Sequence, residues 1–188
     1  MRLFIAAPIS NRTRLLLENQ INKAQTELDF DLKWVKAKNL HLTLKFLGDT
    51  DQKKLEILKE TIMNTCSNYT KFNIYYNHFE AFPSTNYPKV LYFGLNKSKK
   101  QLIKLQNELI NKLYESGFEP EDREYTPHLT FARTRKSTNM RQLKYDYKTF
   151  IKDHDIRILD KIDRISLIES KLYQNGPVYR EIFTNILN

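Results

Sequence analysis

His41-Leu42-Thr43-Leu44-Lys45-Phe46 returns 87 residues later as His128-Leu129-Thr130-Phe131-Ala132-Arg133. The chain holds 4 His, and two of them open this His-apolar-Thr-apolar element. At the Leu and Thr content of this chain, chance places Leu-Thr after a given His about one time in a hundred. For two histidines of four the figure is about one in a thousand. In a strand, residues i and i+2 share a face and i+1 points the other way. His41 therefore projects with Thr43, and His128 with Thr130, while Leu42, Leu44, Leu129 and Phe131 anchor the opposite face. A duplicated lobe with its two copies facing each other accounts for the repeat.

Outward from the repeat, strands and helices mix without regular alternation. Residues 2–8 read as a short buried strand. Ser10 is placed to cap a helix running to about Leu28, with Leu17, Ile21, Ala24 and Leu28 on one face. Strands are expected at 32–35 and 40–47, a turn at 48–51, and a helix ending near Met63. Aromatic and β-branched residues mark strands at 72–82 and 90–95. A strongly amphipathic helix is expected over 98–116, with Leu102, Leu105, Leu109 and Leu113 on one face and Gly117 ending it. A strand over 127–132, a short helix over 138–146 and strands at 155–159, 164–170 and 178–186 complete the pattern. Neither G-x-G-x-x-G nor G-x-x-x-x-G-K occurs, which argues against a dinucleotide-binding or P-loop fold. The expected class is α+β with antiparallel sheets.

The 188 residues suit one globular domain or two small lobes. A hydrophobic fraction of 40 % with 11 Tyr and 11 Phe is enough for a core, and only 4 Gly and 6 Pro exclude collagen-like or disordered classes. No stretch approaches the roughly 18 consecutive apolar residues of a membrane span. The first eight residues are too short an apolar run for a signal peptide. Cys66 is the single cysteine, so no disulfide forms within the chain. A cytoplasmic, monomeric protein with no membrane partner is expected. The net charge of +9 favours polyanionic partners such as nucleic acid or phosphorylated metabolites.

Two imidazoles and two hydroxyls around one cavity suit phosphoryl chemistry. One ring takes a proton from the nucleophile while the other gives one to the leaving oxygen, and the hydroxyls of Thr43 and Thr130 donate to non-bridging oxygens. Histidine fits because one ring can be neutral and the other protonated at the same pH. No carboxylate or cysteine stands at ligand spacing from either histidine, so neither a metal nor a cofactor is expected. His78 and His154 are isolated and are not expected to be catalytic. Lys45 shares the expected face of His41 and Thr43 and is the better-placed cation. Strict alternation puts Arg133 opposite His128, and only a bend at Ala132 brings it round. Phe4 and Trp34 are candidates for base stacking or for the core.

With both motifs and their flanks, the chain resembles the 2H phosphoesterase superfamily, and within it the bacterial and archaeal RNA 2′,3′-cyclic phosphodiesterases, also called 2′-5′ RNA ligases. The resemblance runs from Arg2-Leu3-Phe4-Ile5-Ala6 through Trp34-Val35, the two histidine motifs and Phe82-Pro83 to Gly176-Pro177-Val178-Tyr179. It implies a bilobal α+β fold with two antiparallel-sheet lobes, a pseudo-twofold axis and a central cleft, spanning residues 1–188 with one motif per lobe. It also implies metal-independent opening of a 2′,3′-cyclic phosphate on RNA or a nucleotide to a 2′-phosphomonoester. His41 is then the proton donor to O3′, His128 the proton acceptor from water, and Thr43 and Thr130 hold phosphate oxygens. Two rivals stand beside this reading. A ligase would use the same site with an RNA 5′-hydroxyl in place of water. A basic RNA-binding module without turnover would keep its RNA affinity when both histidines are replaced.

Overall fold

The computed structural model describes residues 1–96, 99–121 and 123–188. Nine strands and four α-helices are found among them. Strand β1 spans Arg2–Pro8 and is followed by helix α1, Asn11–Glu27. Ser10 caps α1 as expected, its hydroxyl accepting from the Thr13 N–H at 3.1 Å. Leu17, Ile21 and Ala24 form the buried stripe of that helix. Strands β2 (Leu32–Trp34) and β3 (His41–Asp49) come next, then helix α2 (Leu55–Cys66). Strands β4 (Phe72–Ser84) and β5 (Tyr87–Leu95) form a hairpin, and helix α3 is Lys99–Glu115. The expected helix start at Ser98, and Lys97 before it, lie outside the described residues. Strand β6 (His128–Thr134), helix α4 (Met140–Asp153) and strands β7 (Ile158–Ile162), β8 (Arg164–Tyr173) and β9 (Gly176–Ile186) complete the chain.

The strands form two antiparallel sheets, ordered β3-β1-β8-β9 and β2-β6-β5-β4-β7. Helices α2 and α3 pack on each other and against the first sheet; α1 and α4 lie against the second. One apolar core runs through both sheets and all four helices. Strand β1 is buried on both faces, because Leu3, Ile5 and Ala7 join that core while Phe4 and Ala6 pack on the other side with Ile168. The short strand β2, lying between two elements in the chain order, crosses to the edge of the second sheet and pairs with β6.

Three expectations shift. The turn placed at 48–51 is partly strand: Gly48, at φ +66°, lets β3 continue through a bulge to pair Asp49 with Arg2. Helix α4 is longer than expected and begins where the Asn139 side chain accepts from the Gln142 N–H at 3.2 Å. Its buried side is Leu143, Tyr147 and Phe150, one aromatic or apolar residue per turn among charges. The strand expected at 155–159 starts at Ile158 instead. Asp160 turns inward between Ile158 and Ile162 and masks the apolar alternation; it reaches the Ser10 N–H at 3.4 Å.

Gly94 is a further constraint on the second sheet. A Cβ there would overlap the His78 ring, which lies across it from the neighbouring strand. Gly94→Ala is expected to cost about 1–3 kcal/mol of stability, as overpacking does. Thermal or denaturant unfolding measures it, and adding His78→Ala restores most of the loss. A silent Gly94→Ala contradicts this close approach.

Candidate active site

Each repeat begins its strand at the point where the chain leaves a tight approach. His41 follows a single 3-10 turn at Ala37–Asn39, and His128 follows the segment Tyr125 to Pro127. Each ring is held by the carbonyl two residues earlier. His41 Nδ1 donates to Asn39 O at 2.7 Å, and His128 Nδ1 donates to Thr126 O at 2.8 Å. A carbonyl only accepts, so Nδ1 carries the hydrogen in both rings and Nε2 is left to exchange protons. Each ring also sits in an aromatic cradle. Phe4 and Tyr179 flank His41 at 4.7 and 5.3 Å between centroids; Phe82 and Tyr92 flank His128 at 4.9 and 5.3 Å. The two halves thus repeat the hydrogen bond, the packing and the motif.

Strands β3 and β6 belong to different sheets but pack against each other. They bring the motifs together: Thr43 of one and His128 of the other line a single cavity of about 470 Å³. The Thr43 and Thr130 side chains are half-buried, and neither hydroxyl has a protein partner among the described residues. Both are free to donate to a bound oxyanion.

A bulge in each strand sets what lies beyond the threonine. In β3 the pairing with β1 slips between Lys45 and Thr43, and in β6 the pairing with β5 slips between Ala132 and Thr130. The extra residue places two successive side chains on the core side, Leu44 with Lys45 and Phe131 with Ala132. Alternation then resumes out of phase. Strict alternation puts Lys45 beside His41 and Arg133 away from His128; the bulges turn Lys45 to the core side, where it still borders the cavity of Thr43 and His128, and bring Arg133 within electrostatic reach of His128. Lys45 is 6 % exposed, donates to the carbonyls of Glu119 and Pro120 at 2.9 and 3.3 Å, and pairs with Glu121 at 2.9 Å. It fastens the 119–121 segment beside the cavity and has no donor left for a phosphate. Arg133 turns to the cleft face, and its charge helps to depress the His128 pKa.

Phe4 is 3 % exposed, its ring packed on His41, Phe46 and Tyr179. It supports the imidazole and presents no face to a base. Trp34 stacks on Phe131 and is half-buried at the wall of a second cavity. Phe46, absent from the sequence-derived set, is 67 % exposed and lines the cavity with Thr43 and His128. It occupies the same place in its repeat as Arg133, so aligning the full six-residue elements would have found it. Tyr179 lay in a quoted flank, but nothing in one sequence placed it against His41.

Burial lowers both imidazole pKa values. His41 falls to about 4, mainly by desolvation, with the Asn39 carbonyl opposing and His128 adding to the fall. His128 is lowered by desolvation, with Thr126 opposing and Arg133 assisting. Both shifts favour the neutral ring, whereas the sequence reading pairs one neutral with one protonated imidazole. Among the described residues, no three His, Cys, Asp or Glu side chains cluster as metal ligands, and no helix is long and apolar enough to cross a membrane.

The paired His-x-Thr strands thus come from two antiparallel sheets that pack together, with Thr43 and His128 on one cavity and His41 on a smaller one, the pattern for which the two-histidine phosphoesterases are named. Residues 15–173 match the 2′-5′ RNA ligase superfamily, and the chain belongs to it. It is 33 % identical to the RNA 2′,3′-cyclic phosphodiesterase of Methanocaldococcus jannaschii, over 97 % of this chain and 98 % of that one. Against the Thermotoga maritima protein of the same name it is 28 % identical, covering 97 % and 94 %. Among solved structures, TT0787 of Thermus thermophilus superposes with a TM-score of 0.80 at 21 % identity, covering 100 % of this chain and 98 % of that one. E. coli LigT complexed with 3′-AMP gives 0.76 at 20 %, covering 99 % and 97 %. Both share its fold.

Proposed function

We propose that this phosphodiesterase opens a terminal 2′,3′-cyclic phosphate of RNA to a 2′-phosphomonoester. One observation carries the reading: two imidazoles with committed Nδ1 and available Nε2, each two residues from a threonine hydroxyl without a partner among the described residues, stand on strands of different sheets that pack together. The names of the Methanocaldococcus jannaschii and Thermotoga maritima relatives support the substrate class. In the reaction, water forms a new P–O bond and the P–O3′ bond breaks. His128 Nε2 takes the water proton, and His41 Nε2 gives a proton to O3′. The resemblance to the family supplies this division of roles. Burial lowers both rings, His41 the further, so the pKa values do not themselves choose the base. The hydroxyls of Thr43 and Thr130 hold the non-bridging oxygens as charge builds on them.

The direct test is incubation of the purified protein with a 2′,3′-cyclic nucleotide and separation of the two monophosphates. The 2′ isomer is the expected product; the 3′ isomer, or no product, overturns the reading. The reaction is also expected to proceed without a metal ion, because side chains supply both proton transfers. Dialysis against a chelator should leave the rate unchanged. A loss restored by zinc or magnesium would sink the two-imidazole mechanism.

The lowered pKa values set the pH dependence. His41 must be protonated and His128 neutral, so in the free enzyme the productive form is a minor part of the singly protonated population, which falls below the lower of the two pKa values and above the higher. With His41 near 4 and His128 also below the ordinary 6.5, kcat/KM is expected to peak on the acid side of pH 6.5. A bound phosphate anion favours the imidazolium and raises both values, so the kcat profile lies at higher pH. Binding of the substrate takes up a proton, measurable as a buffer-dependent heat. A kcat/KM maximum above pH 7 contradicts the buried, neutral pair.

A further inference from the structure

Two cavities flank the imidazoles, and they differ in chemistry. The one beside His128 holds exposed Phe46 with Glu121, Arg123 and Glu124, a mixed-charge rim around an aromatic ring. The other, about 530 Å³, adjoins His41 through Asn39 and Tyr179, residues that also border the small cavity at that ring. It is walled by both sheets: Lys33 and Trp34 in β2 and Arg133 in β6 on one side, the β8–β9 turn on the other. Four cations line it (Lys33, Lys36, Arg133 and Arg135) and no carboxylate does. Arg135 is held by Asp31 at 2.9 Å, while Lys33, Lys36 and Arg133 have no carboxylate partner among the described residues.

A terminal ribose bearing a cyclic phosphate has two other attachments, its base and the 5′-linked strand. With the phosphate between the imidazoles, these must leave the centre into the two flanking spaces. A phosphodiester strand requires cations free of carboxylates. A neutral base requires an aromatic face. We infer that the cavity of Lys33, Trp34 and Lys36 is a binding site for the single RNA strand upstream of the cyclic end, and that the terminal base lies against Phe46. This rests on the proposed cyclic-phosphate chemistry and extends it from a nucleotide to a strand. Trp34, already backed by Phe131, offers a stacking face for the penultimate base, which an acidic peptide would leave unused.

The test is binding of two products, a 2′-mononucleotide and a tetraribonucleotide ending in a 2′-phosphate and labelled at its 5′ end, followed by fluorescence anisotropy and competition. The tetranucleotide is expected to bind at least about 10-fold more tightly. A Lys33→Ala/Lys36→Ala variant should remove most of that advantage. It should also flatten the slope of log affinity against log salt by about 1.4, at roughly 0.7 per phosphate contact on single strands. Its affinity for the mononucleotide should hold within about twofold. Trp34→Ala, with a thermal melt to confirm folding, should weaken the oligomer alone. Equal affinity for the two products overturns the strand site, as does an advantage that survives in the double variant. Polyglutamate competing as well as the oligomer would assign the cavity to acidic peptide instead. If the wild type binds the tetranucleotide through these residues yet turns over no cyclic-ended RNA, the hydrolase reading falls and the strand site stands.

Discussion

Replacing either His41 or His128 by Ala is expected to slow hydrolysis of a 2′,3′-cyclic nucleotide by about 100- to 10,000-fold, the usual contribution of a positioned acid or base. Each ring is fixed by one carbonyl at Nδ1 and an aromatic cradle, so no neighbouring group can replace the missing Nε2. The double variant should be little slower than the worse single one, because acid and base act in one step. The two roles separate on a substrate whose leaving group is an activated phenol, which departs without a proton. There His41→Ala should recover most of its rate while His128→Ala stays slow. The opposite pattern would exchange the roles and leave the mechanism intact. Equal defects on both substrates would count against any division of labour.

Thr43→Ala and Thr130→Ala should each lower kcat by about 10- to 1000-fold, the range for losing one transition-state donor. The expectation rests on hydroxyls that no described residue engages. No internal hydrogen bond is lost on substitution, and the melting temperature should change little. Thr→Ser keeps the donor and should be milder. Unchanged rates for both alanine variants would make the hydroxyls structural. A loss of stability matching the loss of rate would point the same way.

What a single sequence revealed follows from which physical signals are local. Ser10 and the Leu17-Ile21-Ala24 stripe specify a helix within one stretch of chain, and α1 lies where they place it. His-x-Thr carries the two-residue period of a strand, so the partnership of imidazole and hydroxyl was legible. The bulges were not, since they arise from pairing with β1 and β5, and pairing is a property of two segments. Lys45 and Arg133 exchanged faces for that reason alone. Strand β7 was displaced because Asp160, an inward carboxylate near the start of α1, breaks the apolar pattern. Tyr179 reached His41 through a sheet contact spanning most of the chain. The depression of both imidazole pKa values was likewise invisible, because it comes from burial that only the assembled sheets create.

The central position of β1 has a consequence for synthesis. Strand β1 is made ahead of both its partners, bonded on one side to β3 and on the other to β8, where Leu3 pairs with Glu169. At roughly 5–20 residues per second, the second partner follows the first strand by on the order of ten seconds or more. Throughout that interval one edge of an apolar strand stands open, and the sheet that carries His41 cannot close. The second sheet has no such delay at its centre, since β4, β5 and β6 emerge in succession. The nascent chain therefore completes the centre of the His128 side first, and β1 is the strand most in need of protection from pairing with a neighbour.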